Sequence, residues 1–181
     1  MAKKIVSDNI VLIAVNQENM EQYLYVKKMA SLFTCLYEEL EGLWSSVEEE
    51  IKKSVFDDSL RMLIYSNGEE ELLGYIGAEK DNDNTVGINI GVLEKYRNQG
   101  IATEAANVFI DCVFNVMNID FVTWKAFVTN KSSCRVAEKI GGVKKGINSF
   151  DVETMFRTGI STDNFNGNDL LQEVQYVISK K

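Results

Sequence analysis

Between Thr85 and Val128 the chain changes period twice. The run TVGINIGVL is strand-like, residues 100–117 read as a helix, and FVTWKAFV (121–128) is a strand again. Two strands joined through a helix lie parallel, because a tight turn reverses a chain and only a long crossover returns it to the same end of a sheet. One parallel crossover is therefore written into the middle of the chain. Ahead of it, LRMLIYSNGEEELLGYIGA sets Asn67-Gly68 between two strand-like runs, which suits a tight hairpin needing positive φ. Neighbouring strands there run antiparallel.

The remaining elements follow from the same signals. IVLIAV (10–15) is a β-branched strand, and residues 17–43 carry Met20, Tyr23, Leu24, Met29, Leu32, Phe33, Leu36 and Leu40 at helical spacing. Ser45-Ser46-Val47-Glu48-Glu49 opens a second helix, with early acids that suit its dipole. Asp81-Asn82-Asp83-Asn84 is a second turn, residues 131–140 a further helix, and two late strands fall near 149–156 and 171–178. The order β-α-α-β-β-β-α-β-α-β-β predicts an α/β fold: a mixed, mostly antiparallel sheet with helices on both faces. At 181 residues the chain suits one domain, 1–181, with no repeat, low-complexity segment, linker or proline to divide it. A domain of this length buries roughly 70% of its unfolded surface, enough for a core without metal or disulfide staples.

Composition removes several function classes. No apolar run approaches the roughly 20 residues of a membrane span, and the start MAKKIVSDNIVLIAV lacks the long apolar stretch and cleavage site of a signal peptide. A soluble, cytoplasmic protein is expected. Cys35, Cys112 and Cys134 are odd in number and widely spaced, which argues against a disulfide framework and a thiolate metal site. The chain has no histidine, so Ser-His-Asp and Cys-His triads and most zinc sites are excluded. Any acid–base chemistry must use carboxylates, tyrosine, lysine, a hydroxyl or water. The net charge of −8 disfavours nucleic acid. Such a surface attracts cationic amines, or simply keeps the chain in solution.

Arg97-Asn98-Gln99-Gly100-Ile101-Ala102 stands where the strand hands over to the helix. The first N–H groups of a helix have no internal partners, and the dipole places partial positive charge there. A pyrophosphate can accept those N–H bonds where the backbone comes close. Gly100 permits that approach, Ala102 keeps the first turn small, and Arg97 adds a fixed charge. Neither a P-loop nor a GxGxxG motif is present. A glycine at a strand–helix turn beside a solvated arginine is the plainer alternative.

Two motifs in order, RxxGxA at 97–102 and NxxSxxxxEKxG at 130–141, resemble the GNAT superfamily of acyl-CoA-dependent N-acetyltransferases. GIATEA and the second motif look most like its ribosomal-protein N-terminal acetyltransferase branch. The resemblance covers about residues 8–145 in element order and is sharp in 88–105 and 121–142. It implies that strands 84–92 and 121–128 splay at their ends and admit the pantetheine arm of acetyl-CoA. Ile90, Gly91 and Val92 would pair with the arm, Asn98, Gln99, Gly100, Ile101, Ala102 and Thr103 would hold the pyrophosphate with Arg97 beside them, and Asn130 would bond the arm from the other side. Gly87 and Gly91 fit a bulge, a close backbone approach or simple packing. Lys131, Arg135 and Lys139 share one helix face, where the nucleotide phosphate would land on Arg135 and its neighbours, or where the face is merely solvated.

The implied reaction is attack of a neutral amine on the thioester. A lysine-type amine is neutral in roughly one molecule in 2,500 at pH 7 and an α-amine in roughly one in seven. The first needs an effective base, and the second manages with a water chain. Many family members carry a glutamate at the slot of Gly87 and a tyrosine at that of Ala137; this chain has neither. Ser133 matches the serine of the N-terminal branch and is the candidate for thiolate protonation, against a plain first-turn role. Glu79, Glu104 and Glu153 are candidate bases, each also readable as a surface or capping carboxylate, and Asn89 could orient a water or face solvent. Glu38, Glu39, Glu41 and Glu48–Glu50 would draw in a cation or form a charged helix face.

Three readings follow. The first is an N-acetyltransferase acting on a peptide α-amine, or alternatively on a small polyamine or drug-like amine. The second is a non-catalytic acyl-CoA-binding module, and the third an α/β interaction domain without cofactor. No metal is expected, and a homodimer is an open assembly.

Overall fold

The computed structural model describes residues 4–31, 43–54, 60–80, 84–149 and 172–180. Strand alternation sorts its apolar side chains onto two faces of one sheet. Along β3 (Leu60–Ser66), Met62 and Ile64 enter one core and Leu63 the other; along β4 (Leu72–Lys80), Ile76 and Ala78 face the first and Tyr75 the second. β3 is buried without a break from Leu60 to Ile64, as a strand covered on both faces must be.

The other described strands are β1 (Lys4–Val6), β2 (Ile10–Ala14), β5 (Val86–Val92), β6 (Phe121–Phe127), β7 (Val143–Ser149) and β8 (Gln172–Ser179). They form one sheet in the order β1-β2-β3-β4-β5-β6-β8-β7. Every neighbouring pair is antiparallel except β5 and β6, which are parallel. The four described helices are α1 (Met20–Ala30), α2 (Leu43–Ser54), α3 (Ile101–Met117) and α4 (Lys131–Lys139). α3 turns Ile101, Ala105, Phe109 and Val113 into the first core with Ala137 of α4, while Tyr23 and Val26 of α1 and Ile51 of α2 close the second. The mixed α/β sheet with one parallel crossover is thus the fold expected from the sequence. No helix among the described residues is long and apolar enough to cross a membrane.

Several local expectations shift. β1 was not anticipated: three residues are too few to show a period. The helix expected over 17–43 occupies Met20–Ala30 and stops at Ser31, whose ψ of 146° is extended; Leu32, Phe33, Leu36 and Leu40 lie outside the described residues. α2 starts at Leu43, two residues before the serine cap. The tight turn with positive φ expected at Asn67-Gly68 is present: the positive φ falls on Gly68 (102°) and Glu69 (64°), and Glu69 N–H donates to the Ser66 carbonyl in a type II pattern. Of the late strand expected near 149–156, residues 150–156 lie outside the described residues; a strand that was not anticipated, β7, runs Val143–Ser149. It is an edge strand with Val143 and Ile147 exposed, so it has no buried face to print a period. Register in β4–β5 runs unbroken from Gly74↔Val92 to Lys80↔Val86, so Gly87 and Gly91 form no bulge there.

Candidate active site

β5 and β6 touch through only two register pairs, Gly87↔Thr123 and Ile88↔Trp124. Beyond them each strand follows its outer neighbour: β5 stays with β4 to Val92, and β6 stays with β8 to Phe127↔Glu173. The two therefore part, and the gap becomes a cleft of about 650 Å³. Asn89, Ile90, Gly91 and Val92 form one wall, and Lys125, Ala126 and Phe127 the other. Backbone groups on the facing edges are those a strand-like ligand would pair with.

The chain leaving β5 shapes one end of the cleft. Arg97 Nε donates to the Val92 carbonyl at 3.1 Å, which ties the guanidinium to the strand end. Asn98 (φ 62°) and Gly100 (φ 85°) take left-handed backbone, and a Cβ on Gly100 would meet no atom within 4 Å. The Gly100 carbonyl accepts from Thr103 N–H and Glu104 N–H, both at 3.0 Å. The N–H groups of Ile101 and Ala102 are among those that a helix start leaves without an internal partner. Arg97, Asn98, Gly100, Ile101, Ala102 and Thr103 all line the cleft. Gln99 does not: its Nε2 donates to the Lys95 carbonyl at 3.1 Å and braces the loop from behind.

On the opposite wall, Asn130 Oδ1 accepts Ser133 N–H at 3.1 Å and so caps α4, leaving its Nδ2 amide as the donor at the cleft. Ser133 Oγ accepts from Trp124 Nε1 at 2.9 Å. Asn130, Ser133, Arg135 and Lys139 line the cleft; Lys131 instead lines a neighbouring cavity of about 280 Å³ that shares Arg135. Among the described residues, four cations (Arg97, Lys125, Arg135 and Lys139) and one carboxylate (Glu173) border the cleft of a chain whose net charge is −8. That local inversion of sign suits an anionic ligand. The open glycine at a helix start, the tethered arginine and the parted strands together fit a pyrophosphate-bearing cofactor with a strand-like arm.

The candidate bases sit elsewhere. Glu79, paired in register with Gly87, receives Arg61 Nε at 3.2 Å and Nη2 at 3.1 Å on Oε1, with Lys27 Nζ at 4.0 Å. Glu104 accepts Asn9 N–H at 2.9 Å and Asn9 Nδ2 at 3.0 Å, joining α3 to the start of β2. Burial works to raise its pKa, but the hydrogen bonds from Asn9 and Ser7 prevail and hold the carboxyl below its usual value. Neither Glu79 nor Glu104 lines the cleft. Glu153 lies outside the described residues, as do Glu38, Glu39 and Glu41. On α2, Glu48 and Glu49 are taken up by Lys52 and Lys53 one turn on, which offsets the charge expected to draw in a cation.

Sequence reasoning overlooked three participants. Ser132 lines the cleft beside Ser133. Trp124 was read only as part of a strand, and Tyr75 only as part of a hairpin. Tyr75 stands on β4 beside Gly91, its register partner on β5, and its ring fills the space where a Gly91 side chain would be. Asn89, read as a polar strand residue, lies opposite Gly77 with its Oδ1 buried and without a hydrogen-bond partner. Lys27 of α1 lies over the Tyr23 and Tyr75 rings, and its burial lowers the lysine pKa. No cluster of metal-binding side chains occurs among the described residues.

The chain is similar over 97% of its length to 98% of a GNAT-family acetyltransferase from Bacillus anthracis, with 20% identity and a TM-score of 0.66. It is similar over 94% of its length to 95% of a spermidine N-acetyltransferase from Vibrio cholerae in complex with CoA and spermine, with 17% identity and a TM-score of 0.68. A chimera of the Vibrio cholerae enzyme with hSSAT matches at a TM-score of 0.68 and 16% identity, covering 95% of this chain and 96% of that one. At these identities the likeness establishes the fold. No curated protein matches the sequence. The model of the acetyltransferase (GNAT) domain matches residues 10–143, which include all of the cleft described above except Glu173. The chain belongs to the GNAT family of acetyltransferases.

Proposed function

We propose that this acyltransferase moves the acetyl group of acetyl-CoA to a primary amine of a small polyamine-type cation. The observation that carries the choice of amine is the near end-to-end likeness to a spermidine N-acetyltransferase that binds CoA and spermine. The net charge of −8 supports it, since a polycation gains from a negative field even where no single carboxylate is dedicated to it.

Acetyl-CoA supplies the activated thioester. Around it, the free edge of Ile90–Val92 and the Asn130 amide would hold the arm, the start of α3 with Asn98 and Arg97 would hold the pyrophosphate, and Arg135 with Lys139 would meet the nucleotide phosphate. Ser133 has the chemistry to serve the departing sulfur. An indole N–H is a donor only, so the bond from Trp124 uses a lone pair on Oγ and leaves the hydroxyl hydrogen to donate elsewhere. Ser133 Oγ lies on the α3–α4 side of the sheet, while Asn89 shares with Tyr75 and Gly77 the side that α1 covers.

A second reading, a peptide α-amine, is favoured by the shortage of bases: Glu173 is the one carboxylate among the described residues lining the cleft. Acetyl-CoA-dependent thiol release on spermidine, a free-N-terminus peptide and an N-terminally blocked lysine peptide, at pH 7 and pH 9, separates the two. Spermidine is expected to turn over fastest. Turnover on the free-N-terminus peptide alone would replace the polyamine with an α-amine.

A further inference from the structure

The gap between β5 and β6 has an end wall that the transfer of an acetyl group does not by itself require. Gly91 is buried, and a Cβ placed on it would lie 2.4 Å from Tyr75 Cε1 and 2.9 Å from Ala30 Cβ. The Tyr75 ring therefore lies directly against the Gly91 backbone, with the last residue of α1 closing the corner. Tyr75, Ala30 and Gly91 all line the cleft.

This ring is fixed on every side that matters. It is 8% exposed. Tyr23 meets it edge-on, with centroids 5.7 Å apart and planes at 80°, and Lys27 Nζ lies 5.5 Å from its centroid. An edge-to-face pair and an overlying cation each favour one ring position. Gly74, one residue before Tyr75, is itself locked to β5: a Cβ there would lie 2.2 Å from the Gly91 carbonyl oxygen. The backbone that carries the ring thus cannot retreat from β5 without breaking this packing.

We propose that Tyr75 sets the acyl-chain length, ending the acyl site so that acetyl fits and longer chains do not. The inference rests on the acyl thioester lying in this cleft and is independent of which amine is acetylated. An acetyl group has one carbon beyond the carbonyl. Each further methylene would extend toward the α1 side, against the Tyr75 ring and Ala30, with Tyr23 and Lys27 packed on that ring. Overpacking of a fixed site of this kind is costly, because the ring has to leave its rotamer or the thioester has to withdraw.

The test is the affinity of the purified protein for acetyl-, propionyl- and butyryl-CoA by titration calorimetry, for wild type, Tyr75→Phe, Tyr75→Leu and Tyr75→Ala. Turnover with the same donors is read on the best amine. Wild type is expected to bind butyryl-CoA about tenfold more weakly than acetyl-CoA, a typical penalty for overpacking by two methylenes. Tyr75→Phe keeps the ring and should keep that ratio. Tyr75→Leu and Tyr75→Ala should bring it within about threefold, the leucine variant serving if the alanine variant does not fold. Equal wild-type affinity for all three donors, or an unchanged ratio in the leucine variant, overturns the proposal while leaving the acetyltransferase reading in place. Failure of wild type to bind acetyl-CoA would instead remove the cofactor from the cleft and this inference with it.

Discussion

Trp124 Nε1 donates to Ser133 Oγ at 2.9 Å, joining the last β6 residue that pairs with β5 to the first turn of α4. The contact sets a serine hydroxyl at the point where the strands part, with one lone pair taken and its hydrogen available.

Ser133→Ala should slow acetyl transfer about a hundredfold, at the lower end for loss of one positioned proton donor, with acetyl-CoA affinity nearly unchanged. Trp124→Phe keeps the aromatic bulk but removes the indole donor, and should produce part of the same loss. The double variant should be no slower than Ser133→Ala alone, since both changes act at one oxygen. Single-turnover rates beside equilibrium binding check this. Wild-type turnover in Ser133→Ala would take the hydroxyl out of the reaction.

Gly100→Glu should abolish acetyl-CoA binding, because it sets bulk and negative charge at the helix start that the Arg97 guanidinium flanks. Gly100→Ala is the control: its Cβ meets nothing within 4 Å, so the φ of 85° is the sole source of strain. That strain should cost stability of about 1 kcal/mol, with binding retained in weakened form. Calorimetric titration with acetyl-CoA reads both variants. Tight binding by the glutamate variant would show that the pyrophosphate lies elsewhere.

Glu104→Gln should lower stability without touching catalysis, because its carboxylate joins α3 to Asn9 outside the cleft. Its hydrogen bonds depress the folded-state pKa, so the stabilisation is present above the unfolded carboxylate value and fades as pH falls through the folded one. For so exposed a group the loss at pH 7 should be about 0.5–1 kcal/mol. Urea midpoints should show a gap between wild type and variant at pH 7 that narrows as the pH is lowered below the ordinary carboxylate range. An acetylation rate that falls with the stability at pH 7 unchanged would reinstate Glu104 as a base.

The parts legible beforehand were those set within a few residues. The turn from Arg97 to Thr103 could be read because left-handed backbone needs Gly or Asn and a helix start needs acceptors for its N–H groups, both local demands. The parallel crossover was legible because a helix between two strands permits few other pairings. Edge strands were not: Val143 and Ile147 are exposed, so nothing separates them from a loop by pattern. The acid–base candidates failed for a related reason. A glutamate's neighbours 18 or 95 positions away, Arg61 for Glu79 and Asn9 for Glu104, decide whether it faces a cleft or closes a strut.

By itself, then, the sequence determined the order of the elements from β2 through the crossover, the mixed sheet, the absence of histidine chemistry and the left-handed turn ahead of α3, since composition and short-range backbone preference suffice for each. The tertiary structure alone decided where β5 and β6 part, that Trp124 holds Ser133, and that the Tyr75 ring packs over Gly91. Those depend on register with outer strands and on side chains meeting across them, and no local window of the chain contains both partners.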